Sequence, residues 1–276
     1  MCKVLKVSRS GFYKWFKSEP SRRVLENKKL KEQIIKIYQA SECTYGSPRM
    51  TEQLLAIGWR VSRPRVARIM RKYGIRSVHK RKFVITTDSK HNYPIAKNLL
   101  NRRFNVERTG QVWVSDITYI RTRDGWRYLT AVMDLADRKI IGWSISRGMQ
   151  TQKTVIPAMK MALCHRPVVG PLIFHSDQGI QYASNEFRSL LKAYPLIKQS
   201  MSRRGNCWDN AVMESFFKTL KVECIYQHKT LQAWNINAIV IDYIERWYNR
   251  RRLHSALGYK TPAQVEEELN QCENVA

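Results

Sequence analysis

Residues 112–120, VWVSDITYI, place the tightest limit on what this chain can become. β-Branched and aromatic residues dominate the stretch, so it is expected to form a strand. Asp116 then falls on the same alternating face as Val112 and Val114, facing a core. Burying an unpaired polar group there costs about 2–7 kcal/mol even when it is neutral, so the acid needs a partner or a task. Asp124-Gly125 is a hairpin signal, and 126–135 and 139–146 read as second and third strands. A helix is expected over 151–164, with Val155, Ile156, Met159 and Leu163 inside, then a short apolar strand at 172–174. A helix at 185–194 and a strand at 197–201 complete an α/β fold, a mixed five-stranded sheet flanked by helices.

After the fifth strand comes SMSRRGNCWDNAVMESFFKTLK, residues 200–221. Met213, Phe216, Phe217 and Leu220 recur at i, i+3, i+4 and i+7, the apolar stripe of a docked helix. Asp209 or Asn210 is expected to cap its start. Glu214, Lys218 and Lys221 make a second stripe about 100° round the same helix.

Taken singly, each acid has an ordinary use. Glu214 suits an i,i+4 ion pair with Lys218, Asp116 a hydrogen-bonded strand position, and Asp177, in HSDQG just past the short strand, a turn or helix cap. Together they suggest three carboxylates converging on hard divalent cations. Two Mg²⁺ ions, typically about 3.5–4 Å apart, activate a nucleophile and stabilise the leaving oxygen of an in-line phosphoryl displacement. Lys218 and Lys221 would then lie toward a DNA backbone.

The charge distribution points to the partner class. The chain carries 49 Lys/Arg against 22 Asp/Glu, net +27, and residues 1–110 account for 27 against 7 of these. A basic first third ahead of a milder globular part suits a polyanion. No apolar run approaches the length of a membrane span. The six cysteines are scattered, with no C-x-x-C pair, as expected for reduced thiols in a cytoplasm. Residues 25–38, 49–57 and 63–73 read as helices separated by short turns, the pattern of a helix-turn-helix DNA-binding unit. The last of them presents Arg63, Arg65, Arg68, Arg71 and Lys72, expected to face the groove and phosphates, with Val66, Ile69 and Met70 turned inward.

Five strings, TYGSPRM at Thr44, WVSDITYI at Trp113, HSDQGIQYAS at His175, the 200–221 segment and YNRRRLHSALGYKTPAQ at Tyr248, span nearly the whole chain. Jointly they resemble the B-frame transposase of the insertion-sequence-three family, with its retroviral-integrase-like DDE core. The resemblance implies a ribonuclease-H-like fold and carries the catalytic, metal-binding triad onto Asp116, Asp177 and Glu214. It implies two Mg²⁺ (or Mn²⁺) ions, and cleavage and strand transfer at an element's inverted-repeat ends, with double-stranded target DNA as second substrate. A homo-oligomer on DNA, an upstream-frame partner of the same element, and a cytoplasmic, nucleoid-associated bacterial location are further expectations. Between Asp177 and Glu214 stand residues 178–213, 36 in all, one more than the family's usual spacing. The extra residue is expected in the loop at 192–197, where closure entropy makes it cheap.

The expected organisation is a basic helical segment at 1–24, the helix-turn-helix domain at 25–78, a basic linker at 79–110 containing HKRKF, the catalytic core at 111–228, and a helical extension at 229–276. Within the core, the loop 202–209 with Arg203, Arg204 and Trp208 is expected to grip or splay a DNA end. A long helix is expected over 231–252, with Arg250, Arg251 and Arg252 crowding its end, where cations suit the helix dipole or phosphate. His175 and His254 read as packed histidines. A nuclease without strand joining and a non-catalytic DNA-binding regulator remain the alternative functions.

Overall fold

The computed structural model describes residues 2–78, 93–228 and 231–275, and the chain divides into two compact units between Val78 and His79. The first unit is helical: α1 (Arg9–Lys17), α2 (Arg22–Ala40), α3 (Ser47–Ala56) and α4 (Arg63–Lys72). Ser8 caps α1 by accepting from the Gly11 N–H at 3.0 Å. Pro48 and Pro64 sit in the first turns of α3 and α4, where a missing N–H breaks no helical bond. Leu30, Ile34, Met50, Leu54, Val66, Ile69 and Met70 close the core of α2–α4. No residue of α1 is buried.

The second unit is built on β1 (Val112–Thr122), β2 (Gly125–Asp134), β3 (Ile140–Ser146), β4 (Leu172–Ser176) and β5 (Ile197–Met201), in the order β3-β2-β1-β4-β5. The first three strands are antiparallel, and β4 runs parallel to both β1 and β5. Gly125, at φ +113°, takes the hairpin position closed to most side chains. Against one face lie α5 (Val155–His165), α6 (Ile180–Ala183) and α7 (Asn185–Lys192), sharing a core with Trp113, Val132 and Phe174. Gly142 lets α5 approach closely: a Cβ there would stand 2.2 Å from the Ala158 carbonyl oxygen. Odd-numbered Trp113 and Ile117 face that layer, so Asp116 belongs to the other side. There α8 (Ala211–Glu223) packs along β1. Its four stripe residues, Met213, Phe216, Phe217 and Leu220, are all buried, each contributing about 1.5–3 kcal/mol.

Two arginines tie the C-terminal part to the sheet. Arg166 pairs with Asp134 and Asp137, each at 2.7 Å, and with Glu266 at 2.6 Å, anchoring α10 (Pro262–Val275). Arg252 is buried and holds Glu223 at the end of α8 through 2.8 and 2.9 Å bonds. Of the arginines expected to crowd a helix end, this one serves packing instead.

Three expectations change. The helix expected over 231–252 begins only at α9 (Ile236–Ile241) and widens into a π-helical turn over Asp242–Tyr248. Neither Asp209 nor Asn210 makes a side-chain cap on α8: Asp209 is taken up by Arg203, Arg102 and Asn98, and Asn210 turns its Nδ2 to the Ser115 carbonyl, leaving its Oδ1 without a partner among the described residues. Of the stretch expected as a linker, 79–92 with the HKRKF run lies outside the described residues, whereas 93–110 is fastened to the core. Leu100 is buried, the Leu99 N–H donates to Ser200 Oγ at 2.9 Å, and the Gly110 N–H donates to Asp134 at 2.7 Å.

Candidate active site at the open end of the sheet

The ladder between β1 and β4 ends at Val114↔His175, which sets Asp116 level with Asp177 just past the last residue of β4. Beyond that point the β1 ladder with β4 stops, and the Ile117 N–H is taken by Asp116 Oδ1 at 2.7 Å. Asp177 Oδ1 accepts from the Gly179 N–H at 2.9 Å. A Cβ on Gly179 would stand 2.9 Å from that oxygen, so the turn is built around a residue without a side chain. Glu214 enters from the first turn of α8. All three acids are half-buried.

The electrostatics group them. The Asp116 carboxyl is held well above its usual range by burial and by the neighbouring Asp177, with Glu214 adding to the effect and Lys221 opposing it. Burial raises Glu214 as well. Lys221 does not point to solvent: it is half-buried, its ammonium pulled below the ordinary lysine range by burial, and it lies within reach of the Asp116 charge. Lys218 is exposed. Among the described residues no cation forms an ion pair with Asp116 or Glu214, and no group of three or more His, Cys, Asp or Glu side chains is arranged to hold a metal ion.

Other side chains fix the framework of the site. Asn210 Nδ2 donates to the Ser115 carbonyl at 3.1 Å, pinning the start of α8 to the residue before Asp116. From the opposite face the buried Tyr182 hydroxyl meets Ser115 Oγ at 2.7 Å. Ser115 gives its proton to the Ala131 carbonyl at 2.9 Å, so Tyr182 is the donor. In the sequence Asn210 stands only as a cap candidate and Tyr182 carries no signal of this role, although each lies in one of the five strings. His175 is buried between Ser200 and Ser202, at 2.8 and 3.2 Å. Burial holds its pKa down to about 4, so it is a neutral structural link.

The loop before α8 is more tightly tied than expected. The buried Asp209 accepts from the Arg203 N–H and guanidinium, from Arg102 and from Asn98, all at 2.8–3.0 Å. Those bonds, Arg203's first, drive its pKa far down. Arg203 is thus engaged by Asp209 although its side chain stays half-exposed, while Arg204 and Trp208 face solvent unpaired by Asp209. In the helical unit, Arg65 is likewise engaged, with Glu26 at 3.1 Å and Asn27 at 2.8 and 3.0 Å. Arg63, Arg68, Arg71 and Lys72 are exposed.

Similarity to known proteins agrees with this architecture. Residues 106–207 and 196–262 match models of the integrase core domain, and 25–83 match an HTH-like domain. The chain is 40% identical over 268 residues to the transposase InsF for insertion sequence IS3A of Escherichia coli, covering 96% of this chain and 92% of that one. The chain belongs to the IS3-family transposases. A second relative, an uncharacterized 31 kDa protein of insertion element IS600 from Shigella sonnei, is 41% identical over 272 residues, covering 98% and 99% of the two chains. In structure, this IS3-family chain resembles a chain of the simian T-cell lymphotropic virus intasome solved in complex with a PP2A regulatory subunit. The TM-score is 0.50 at 15% identity, covering 84% of this chain and 74% of that one. The shared fold is the ribonuclease-H-like integrase core, here accompanied by the helix-turn-helix unit. Among the described residues no helix is long and apolar enough to cross a membrane.

Proposed function

We propose that this transposase cuts and joins DNA through Asp116, Asp177 and Glu214, acting on the inverted-repeat ends of an insertion sequence and on a target duplex. The observation that carries the reading is the strand register: Val114↔His175 sets the two aspartates side by side at the open end of the sheet, and α8 brings a third acid to the same strand. The donor set, three carboxylates, suits a hard divalent cation. Asp116, its charge disfavoured by burial and by Asp177, gains most from a cation beside it. Two Mg²⁺ or Mn²⁺ ions, when bound, would supply Lewis acidity to the scissile phosphate and to the attacking hydroxyl.

The chain's own groups supply position. Asn210 and Tyr182 lock the backbone at Ser115 from both faces of the sheet, so Asp116 cannot drift along β1. Glu214, in the first turn of its helix and in no ion pair among the described residues, is the acid with freedom to close on the other two. Lys218 faces outward, placed for the DNA backbone, and Lys221 balances Asp116. Arg63, Arg68, Arg71 and Lys72 form the sequence-recognising surface of the helical unit, and Arg204 with Trp208 touches the DNA end. Copies of the chain assemble on DNA, with the upstream-frame product of the element as a further partner.

The test is direct. The DNA on either side of the coding region supplies the inverted repeats, and precut repeat ends are incubated with protein, Mg²⁺ and a plasmid. Joined product that disappears with EDTA supports the reading. Nicks without joining would make the chain a nuclease, and binding without either would make it a regulator.

A further inference from the structure

The β1–β2 hairpin does not stop at the level of the carboxylates. β1 continues for six residues past Asp116, to Thr122, before the turn at Gly125, about 20 Å at strand rise. One face of this projection carries Tyr119, Arg121, Trp126 and Tyr128, brought together by the pairs Tyr119↔Tyr128 and Arg121↔Trp126. Tyr119 packs edge-on against both Trp126 and Tyr128, at 6.4 and 5.3 Å between centroids. The Arg121 guanidinium lies 5.1 Å from the centre of the Trp126 ring. Arg121 and Arg123 are exposed, and Trp126 is 46% exposed.

The charge on this projection is one-sided. Residues 117–130 hold the exposed Arg121 and Arg123, and the buried Arg127, against one acid, Asp124. Asp124 Oδ2 accepts from the Ala233 N–H at 2.8 Å, and among the described residues neither Arg121 nor Arg123 forms an ion pair. Stacking on Trp126 holds the Arg121 guanidinium in place while leaving its N–H groups for an acceptor. The face is the one turned toward α5–α7, opposite to the Asp116 side chain, and it reaches the end of the sheet through the turn at Asp177. Tyr182 of α6 bonds Ser115, which shares the odd-numbered face with Tyr119 and Arg121, and α6 follows directly from the turn that holds Asp177.

We infer that this hairpin face is a DNA-contacting rail, holding the backbone of the reacting duplex beside the catalytic end of the sheet. Arg121 lies five residues beyond Asp116, about 16 Å along the strand. At about 3.4 Å of rise per base pair, a duplex running along the hairpin covers that offset in about five base pairs. A second copy of the chain is the poorer occupant. Self-association would set Arg121 and Arg123 against their own copies, in a protein of net charge +27.

The inference rests on the DNA-joining function proposed above, and its test is separable. Full-length protein carrying a benzoyl-phenylalanine in place of Trp126, or in place of Val169 as control, is irradiated with a 40-base-pair mixed-sequence duplex. Val169 is 93% exposed in the loop before β4, at the opposite end of that strand. Crosslinking to DNA is expected at position 126 and not at 169. The double variant Arg121→Gln/Arg123→Gln, with an unchanged circular dichroism melt, is expected to lower the slope of log affinity against log salt by about 2, at about 0.9 for each phosphate no longer neutralised. Equal yields at 126 and 169, a crosslink from 126 to another protein copy, or an unchanged slope would overturn the rail even if joining activity is intact. Loss of all joining by the unmodified chain would sink the function and leave the crosslink result standing.

Discussion

Two groups of carboxylates in the second unit are treated in opposite ways. Asp134, Asp137 and Glu266 converge on a single guanidinium, Arg166, at 2.6–2.7 Å, at the end of the sheet near β3. Asp116 and Asp177 meet at the open end, with Glu214 approaching, and the dominant effects on Asp116 are burial and the charge of Asp177. The first arrangement neutralises buried charge and ties α10 to the core. The second concentrates negative charge where the sheet is open. The acids that hold this fold receive a cation from the same chain, whereas Asp116 is left raised by burial and by the charge of Asp177.

The largest effect should come from the open end. Asp116→Asn, Asp177→Asn or Glu214→Gln is expected to lower strand cutting and joining by about 10³-fold or more, with duplex affinity within a few-fold of the parent. Gel assays of joining and fluorescence anisotropy of binding read the two separately. A variant retaining full activity would remove that residue from the site.

At the clamped end, Arg166→Ala is expected to cost about 3–5 kcal/mol of stability, because it strands two buried carboxylates. Denaturant unfolding measures it, and a change below about 1 kcal/mol would show that the two groups are not treated differently after all.

His175, between the two ends, gives a pH signature. Its folded pKa of about 4 lies below the unfolded value of 6.5, so the unfolded chain binds the extra proton between those values. Stability contributed by the neutral imidazole is present above about pH 6.5 and is lost as pH falls toward 4, by about 3 kcal/mol in total. Melting temperatures of the parent and His175→Gln across pH 7 to 4.5 should converge; parallel curves would refute the buried neutral state.

The smallest effect reverses the usual sign. Asp116→Asn removes a charge that burial and Asp177 both disfavour, so in metal-free buffer the melting temperature should hold or rise, by about 1 kcal/mol in stability. Arg166→Ala moves the other way, which makes the contrast a single pair of melting curves.

The core was legible in the sequence where regular structure follows from pattern. β5 begins and ends at the residues its alternation suggests, the stripe of α8 is buried to the last residue, and β1 runs only two residues longer than read. α6 was not foreseen, since four residues carry no helical period. The helix at 231–252 was overdrawn because an apolar stripe continues through a turn that widens. Side-chain partnerships were the least readable. Arg65 and Arg203 look like free cations on their own segments. Their partners, Glu26 with Asn27 and Asp209, are chosen by the fold, and at Asp209 Arg102 joins from more than 100 residues away. The candidate triad was accessible by residue type and strand position. Its supports, Asn210 and Tyr182, act by bonds to a neighbouring strand that no spacing rule encodes.

The amide groups of Leu99 and Leu100 both hang on Ser200 Oγ, which also meets the His175 ring. His175 stands two residues from Asp177. The segment that leads into the core is therefore joined to the C-terminal end of β4 through one hydroxyl and one imidazole. Loss of the Ser200 hydroxyl would take a partner from the Leu99 and Leu100 amides and from the Nδ1 side of the His175 ring at once.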